Sequence, residues 1–501
     1  MTAVIRGAAE PVAPGEPRIW DDATAVQTFP GITSPLAFTI AAGIYGRVCR
    51  EYARSLGVPD EQVEQTDSWT PYLLGSFHGR VYGNLLHWYR LAGIAPGYRL
   101  SRRALEDMLG ATDPVPDEVA ESLSPFTFDS RAHRIRSRIR TTGVFLRRAW
   151  RIEAMMRDFR TEFDRVCDRY EPGDYVHGEH AYAEYRRLDR ELVLLWGPVT
   201  VLDAVVLTLM GAVVALTDSY LPEASRAFRY AAVRPGVAIG SAVESGSPGA
   251  TGIDPDDYLD ERLGGIRRRL YDLVRVRAAR CAAHRESVRS SRARAAGILE
   301  AMIRVMAADL AARGILRDPG DIDCLTAGEL RGCYDRAPMP DLGARIAERK
   351  AARAAAGGLS APVRFSTEGA EVSDVQLTEQ GWAARTAISA AHDHEVLAGT
   401  ASTAGVVEGP AVVARRLRDM TPGILVAENA DPAWVAALPS ASALVIEHGG
   451  PLTAVATVAR ELGVPTVVRV PAATARLRTG MRIRVDGSTG TVTVLSGAGP
   501  E

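Results

Sequence analysis

Lysine is almost absent from this chain: among 59 basic residues, Lys350 is the only one. Nucleotide-binding loops that grip triphosphates place a lysine on the phosphates, and Schiff-base chemistry requires one, so both are disfavoured. Lys350 itself sits in ARIAERKAARAAAGG, a charged helix end running into a linker. Paired cysteines are missing too. Cys49, Cys167, Cys281, Cys324 and Cys333 are scattered with no CxxC, and the opening MTAVIRGAAEPVAPGEP has no apolar signal core. The expected compartment is reducing and cytoplasmic. Net charge is also lacking: at −2 overall, the composition gives no global reason to expect nucleic acid or an anionic membrane as partner. A small molecule, a partner subunit or a second copy of the chain is the expectation. The pairs His177 with His180 and His392 with His394 have no third ligand at metal spacing, so neither a metal nor another cofactor is expected.

At 501 residues the chain is long enough for several domains, each with its own core. From Phe38 to about Ala356 apolar residues recur at three- and four-residue spacing, the mark of a large helical domain. Within it the run from Leu192 to Thr217 is apolar enough to raise a membrane question. Pro198 and Asp203 interrupt it and no second span exists, so it reads as a buried core helix that could line a greasy pocket. Two arginine-rich stretches, Arg131 to Arg169 and Arg262 to Arg304, read as solvated helix faces. From Ala351 the sequence turns to Ala, Gly and Ser without a sustained helical period. Beyond it GVVEGPAVVA, GILVAE, ALVIEH, PTVVRV, MRIRVDG and GTVTVL read as strands, with a helix from Pro451 to Leu462. The division expected is a flexible N-terminus over 1–20, a helical substrate-binding domain over 21–350, a linker over 351–395 and a small α/β domain over 396–497.

The C-terminal motifs STAGVVEGPAVV, GILVAENADPAW, IEHGGPLTAVATVARELGVPTVV and VDGSTGTVTVL resemble, in order, the swivelling phosphohistidine domain of phosphoenolpyruvate-utilising enzymes such as phosphoenolpyruvate synthase and rifampicin phosphotransferase. More loosely, FPGITSPLAF, FHGRVYGNLLHW and GILRDPGDIDCLTAGEL followed by ARIAERK resemble the substrate-binding middle domain of rifampicin phosphotransferase. The resemblance implies a multidomain chain, mostly α-helical at first and ending in the mobile α/β domain. Neither the nucleotide-binding domain nor the pyruvate-binding barrel of such enzymes is recognisable in the sequence.

In the family pattern two glycines, two variable residues and a Ser, Thr or Cys precede the phosphate-carrying histidine at a helix start. Here Gly449, Gly450, Pro451, Leu452 and Thr453 lead to Ala454, and Val458, Ala459, Arg460 and Glu461 complete the helix. A methyl group cannot accept phosphate. His448, six residues earlier at the strand end, is the candidate substitute; with Glu447 beside it, acid-base work is possible if the pair faces a cleft. Arg460 joins them as a catalytic candidate, and Thr453 as a substrate-binding one. The second cluster is in FHGRVYGNLLHW. If this stretch is partly helical, His78, Tyr82 and a residue near Leu85 share a face, with Arg80 and Asn84 one step around and Trp88 adding an aromatic wall. His78 is then a further catalytic candidate, and Arg80, Tyr82, Asn84 and Trp88 bind substrate.

Three functions are compatible with these residues. The first is an ATP-independent enzyme that abandoned phosphate and carries out dehydration, elimination or cyclisation of an apolar metabolite, as in natural-product biosynthesis. The second is a noncatalytic or regulatory subunit of a phosphotransferase. The third is residual phosphotransfer through His448.

Overall fold

The computed structural model describes residues 17–22, 25, 28–29, 31–109, 115–222, 255–368, 374–414, 421–429, 432–451 and 453–496. Its first element is a strand, β1 (Pro17–Asp21). Ser34 then starts helix α1 (Pro35–Ser55): its hydroxyl accepts from the Ala37 N–H, and Pro35 fills the first turn, where no N–H is needed. Helix α2 (Asp60–Gln65) leads to a hairpin of β2 (Leu74–Phe77) and β3 (Arg80–Asn84). Helices follow: α3 (Leu85–Ala92), α4 (Tyr98–Leu109), α5 (Asp117–Ser122), α6 (Arg131–Trp150), α7 (Ile152–Tyr170), α8 (Gly178–Val199) and α9 (Val201–Tyr220). After the next described segment begins come α10 (Pro255–Arg262), the long α11 (Gly265–Ala312), α12 (Ala327–Tyr334) and α13 (Leu342–Ala356).

The helices share one core, in which Tyr52, Met156, Leu188, Leu192, Leu202 and Met302 are all shut off from solvent. The apolar run expected to be internal, Leu192 to Thr217, forms the end of α8 and most of α9. Together Gly178–Tyr220 is long and apolar enough to cross a membrane, yet most of its most apolar window is buried inside the protein. Two glycines let neighbours close on it: a Cβ at Gly197 would stand 2.2 Å from Glu51 Cβ, and one at Gly211 would stand 2.1 Å from the Leu100 carbonyl oxygen. It is a core helix pair. Lys350, on α13, is tied to Asp321, a structural use of the single lysine.

Two expected boundaries change. Residues 1–16 lie outside the described residues, but Pro17–Asp21 is no flexible tail. Strand β1 pairs antiparallel with β3 on one side and with β5 (Arg364–Glu368) on the other, giving a four-stranded sheet ordered β2, β3, β1, β5. The stretch expected to be a linker thus supplies a sheet strand. It also supplies β4 (Leu359–Ser360), paired with β6 (Ala383–Ala384), and between them α14 (Asp374–Glu379). The physical reason is the two-residue alternation in RFSTE. Phe365 and Thr367 point inward, Thr367 accepts from the Trp20 indole at 2.8 Å, and Phe365 packs in a cluster with Trp20, Phe77, Tyr82 and Trp382.

The C-terminal domain contains β7 (Val396–Ala398), β8 (Thr400–Thr403), β9 (Val406–Ala414), β10 (Gly423–Asn429), β11 (Ala441–His448), α15 (Ala454–Glu461), β12 (Thr466–Val468), α16 (Ala473–Arg476), β13 (Arg482–Asp486) and β14 (Thr491–Ser496). They form one sheet ordered β7, β14, β13, β9, β10, β11, β12, β8, with β9 to β12 parallel in its centre. Parallel strands covered on both faces need continuous apolar sequence. Alternate residues of β10 and β11 accordingly feed two cores: Ile424, Val426, Ala443 and Val445 on one face, Leu425, Ala427, Leu444 and Ile446 on the other with α15. A large helical body followed by a small α/β domain is the architecture expected from the sequence.

Candidate functional site

In open sheets of parallel strands, ligands gather at the carboxyl ends of the strands. Here those ends carry Glu428 on β10, Glu447 and His448 on β11, and Arg469 immediately after β12. Glu428, His448 and Arg469 face the small sheet of the helical body. Within β11 the alternation that sends Val445 to one face and Ile446 to the other sends Glu447 toward α16, where it accepts from the Thr474 hydroxyl at 2.6 Å and its N–H at 3.0 Å. His448 meets the end of β1 instead: its Nδ1 lies 2.7 Å from Asp22 Oδ2.

Around this contact charges alternate. Arg469 reaches Asp21 with Nη1 and Nη2, at 3.2 and 3.1 Å, and Asp22 at 3.2 Å. Arg364 adds a 2.7 Å bond to Asp21. Arg469 holds a left-handed backbone, φ 58, that a side-chain-bearing residue adopts only at a cost. On the far side Arg80 and Arg385 both grip Glu428, at 2.6 and 2.8 Å, and Arg385 also donates to Thr474 at 2.8 Å. Asp21, Asp22, Glu447, His448 and Arg469 are all buried, so these are desolvated ion pairs that need their partners.

Protonation follows from this layout. Burial pulls the His448 imidazole down, but the hydrogen bond to Asp22 and the negative charges of Asp22 and Glu447 outweigh it and hold the pKa up to about 9. Burial likewise pushes Glu447 up, and His448 and Thr474 reverse it to about 2. Burial raises Asp21, whereas Arg469 and Arg364 bring it below the usual carboxylate range. At neutral pH His448 is therefore an imidazolium between two carboxylates. Its Nε2 lies 3.5 Å from Glu447 Oε1, an ion-pair contact, and both atoms are buried without a hydrogen-bond partner among the described residues.

The remaining sequence candidates are distributed as follows. FHGRVY is a hairpin, not a helix: His78 and Gly79 form its two-residue turn with φ 46 and 75, the left-handed pair that strand twist favours. The expected shared helical face of His78 and Tyr82 does not exist. His78 packs on Trp382, with ring centroids 5.2 Å apart. Tyr82 belongs to the aromatic core and donates to the Pro362 carbonyl at 2.7 Å. Burial and the Asp22 charge push its phenol well above the ordinary value. Arg80 reaches the C-terminal domain through its ion pair with Glu428. Asn84 is completely buried with neither amide atom hydrogen-bonded among the described residues, and the Trp88 indole N–H is likewise unpaired. Arg460 points away from His448, donating to the Ser402 and Pro451 carbonyls at 3.2 and 2.8 Å, and clamps α15 within its own domain. Thr453 caps α15 by accepting from Ala456 N–H. Ala454 is the first residue of that helix.

Asp21, Asp22, Glu428, Arg469 and Thr474 were not anticipated. Their signals are faint but present. The acid pair in PRIWDD directly follows a buried tryptophan, and Arg469 is the one charge in PTVVRVPAA, just past the end of a parallel strand.

The C-terminal sheet is parallel at its centre, and a glycine turn leads from the end of β11 into α15. The family model described as PEP-utilising enzyme, mobile domain, matches residues 420–490, within the C-terminal α/β domain. An uncharacterized protein of Mycobacterium tuberculosis is 33% identical over 225 residues, 44% of this chain and 24% of its own length. Rifampicin phosphotransferase of Streptomyces sviceus is 43% identical over 103 residues, 20% of this chain and 12% of its own. Chondramide synthase of Chondromyces crocatus is 41% identical over 111 residues, 21% of this chain and 3% of its own. The chain thus spans about a quarter or less of the length of the relatives it matches.

Proposed function

We propose that this chain is a non-phosphorylating enzyme that takes an apolar, hydroxyl-bearing metabolite at the junction of its two domains and removes water from it without ATP. The observation behind the reading is the buried, unsatisfied pair of His448 Nε2 and Glu447 Oε1, 3.5 Å apart. Buried polar atoms without partners are costly, and one substrate hydroxyl would satisfy both, accepting from Nε2–H and donating to Oε1. His448 would deliver its proton to the leaving oxygen as the C–O bond breaks. Losing the imidazolium charge would raise the basicity of Glu447, which takes the proton of the neighbouring carbon while that bond's electrons form the double bond. Proton return from Glu447 to His448 restores the starting state, and the net change is loss of water.

Ala454 supports the reading, since the residue at the expected phosphate-carrying position has no nucleophile. The protonation of His448 also argues against surrogate phosphotransfer in the docked arrangement, because an imidazolium has no free lone pair on Nε2. The names of two matched proteins, chondramide synthase and rifampicin phosphotransferase, support a specialised metabolite as substrate class. Arg80 and Asn84 are the remaining polar groups proposed to orient it.

A second reading, a noncatalytic subunit, is favoured by one observation: Arg469 with Asp21 and Asp22, and Arg80 with Glu428, latch the two domains together. Mass spectrometry of the protein incubated with metabolites of its producing organism separates the readings. A bound metabolite converted, without ATP, to a product lighter by one water supports the enzyme, provided His448→Gln abolishes conversion. Binding or docking without conversion supports the subunit, and a phosphate-sized gain on the chain would revive phosphotransfer.

A further inference from the structure

Helix α6 carries an outward face that nothing among the described residues covers. Ile135, Ile139, Leu146 and Trp150 are 60, 68, 60 and 81% exposed. At 3.6 residues per turn they fall within about 60° of arc. Ser137, Thr141 and Phe145 occupy the opposite side and dock the helix on the body. The helix carries seven arginines, at 131, 134, 136, 138, 140, 147 and 148, and no acidic residue; all but Arg134 and Arg148, which share the docking side, lie between the two faces. None of the seven forms an ion pair among the described residues. Arg138 and Arg148 are lowered from the ordinary guanidinium value, first by burial and then by the neighbouring Arg134 and Arg147.

The face continues onto α11. Arg277 donates to the Ala149 carbonyl at 2.6 Å and lies over the Trp150 ring, and one turn and three turns earlier Leu273 and Ile266 are 67 and 84% exposed. A contiguous apolar ridge of this kind is unusual on a surface that meets only water.

We propose that this face of α6, extended by the start of α11, lies on an anionic phospholipid surface. The apolar ridge would enter the acyl boundary, with Trp150 at its end, and the flanking arginines would meet lipid phosphates. The charge pattern selects among occupants. A second copy of α6 would set seven arginines against seven, and a nucleic acid would answer the arginines but leave the ridge in water. Overall charge conceals the feature, because the acidic residues that balance α6 lie elsewhere in the chain. The proposal is independent of the chemistry at His448.

The test is co-sedimentation of the full chain with vesicles of phosphatidylglycerol and phosphatidylcholine, and with vesicles of phosphatidylcholine alone. Binding is expected only to the anionic vesicles, weakening as salt rises. It should fall at least about tenfold in Ile139→Asp/Leu146→Asp, and also in Arg136→Gln/Arg147→Gln, which preserves the ridge. All four positions are exposed, and circular dichroism checks that the variants fold. Absence of anionic-vesicle binding at low ionic strength, or equal binding by wild type and both variants, overturns the proposal. So does loss of vesicle binding with retained binding of a synthetic acidic amphipathic helix, which would assign the face to a protein partner.

Discussion

His448 Nδ1 and Asp22 Oδ2 stand 2.7 Å apart, although 426 positions separate them in the chain. One belongs to the parallel sheet of the C-terminal domain and the other directly follows β1, an inner strand of the small sheet of the helical body. The docked arrangement therefore fixes the protonation of the one histidine in the glycine-turn motif. Asp22→Asn keeps a hydrogen-bonding group of the same shape while removing the charge. The His448 pKa should fall from about 9 by at least ~1 unit, corresponding to ~1.4 kcal/mol, as read by NMR titration of the imidazole. An unchanged titration would mean that Glu447 alone holds the proton.

The same linkage gives the docked state a pH window. His448 rises from an ordinary 6.5 to about 9 on folding, so its contribution is complete below pH 6.5 and is lost as pH climbs through 9. Glu447 falls from 4.5 to about 2, so its contribution is complete above 4.5 and is lost as pH drops through 2. Thermal stability should be greatest between about pH 4.5 and 6.5 and decline by about 3 kcal/mol toward pH 9. In His448→Gln the alkaline decline should disappear from the melting profile; a decline of undiminished size would place its origin elsewhere.

Arg469 tests the latch. Its replacement by Met removes one counter-charge from both Asp21 and Asp22 inside a buried site, while Arg364 stays on Asp21 and His448 on Asp22. The expected cost is about 3 kcal/mol, because a buried carboxylate is left short of its counter-charge. Adding Asp21→Asn should recover a good part of that loss, since neighbours in one network are not additive. Hydrogen exchange along β11 measures both. Strict additivity of the two changes would argue against a shared network.

Much of this architecture was legible in the sequence because packing requirements repeat along the chain. Apolar runs such as ILVA and ALVI can only be central strands covered on both sides, and the three- and four-residue spacing of the body can only be helices around one core. The site was half legible. Glu447 and His448 stood out because they break an apolar strand at its carboxyl end. Asp22 did not, because strand pairing between residues 17–21 and 364–368 is a long-range event that no local pattern encodes. The hairpin at His78 was misread for a different reason: a Gly in FHGRVYGN suits a left-handed turn as well as an interrupted helix, and tertiary pairing with β1 decides.

Asn84 offers the last and sharpest distinction between a structural and a ligand-binding role in the body. Its side chain is completely buried, and neither the amide oxygen nor the nitrogen has a hydrogen-bond partner among the described residues. A group in that state weakens the fold unless something else satisfies it, and exchange for an apolar residue of like shape is then neutral or stabilising. Asn84→Leu should therefore leave the melting temperature of the ligand-free protein unchanged or higher, while lowering turnover of the metabolite at least about tenfold, equivalent to ~1.4 kcal/mol of barrier. Calorimetry and a turnover assay on the same preparation decide the matter. A drop in melting temperature would instead identify Asn84 as part of a structural hydrogen-bond network, and unchanged turnover would remove it from the substrate's reach.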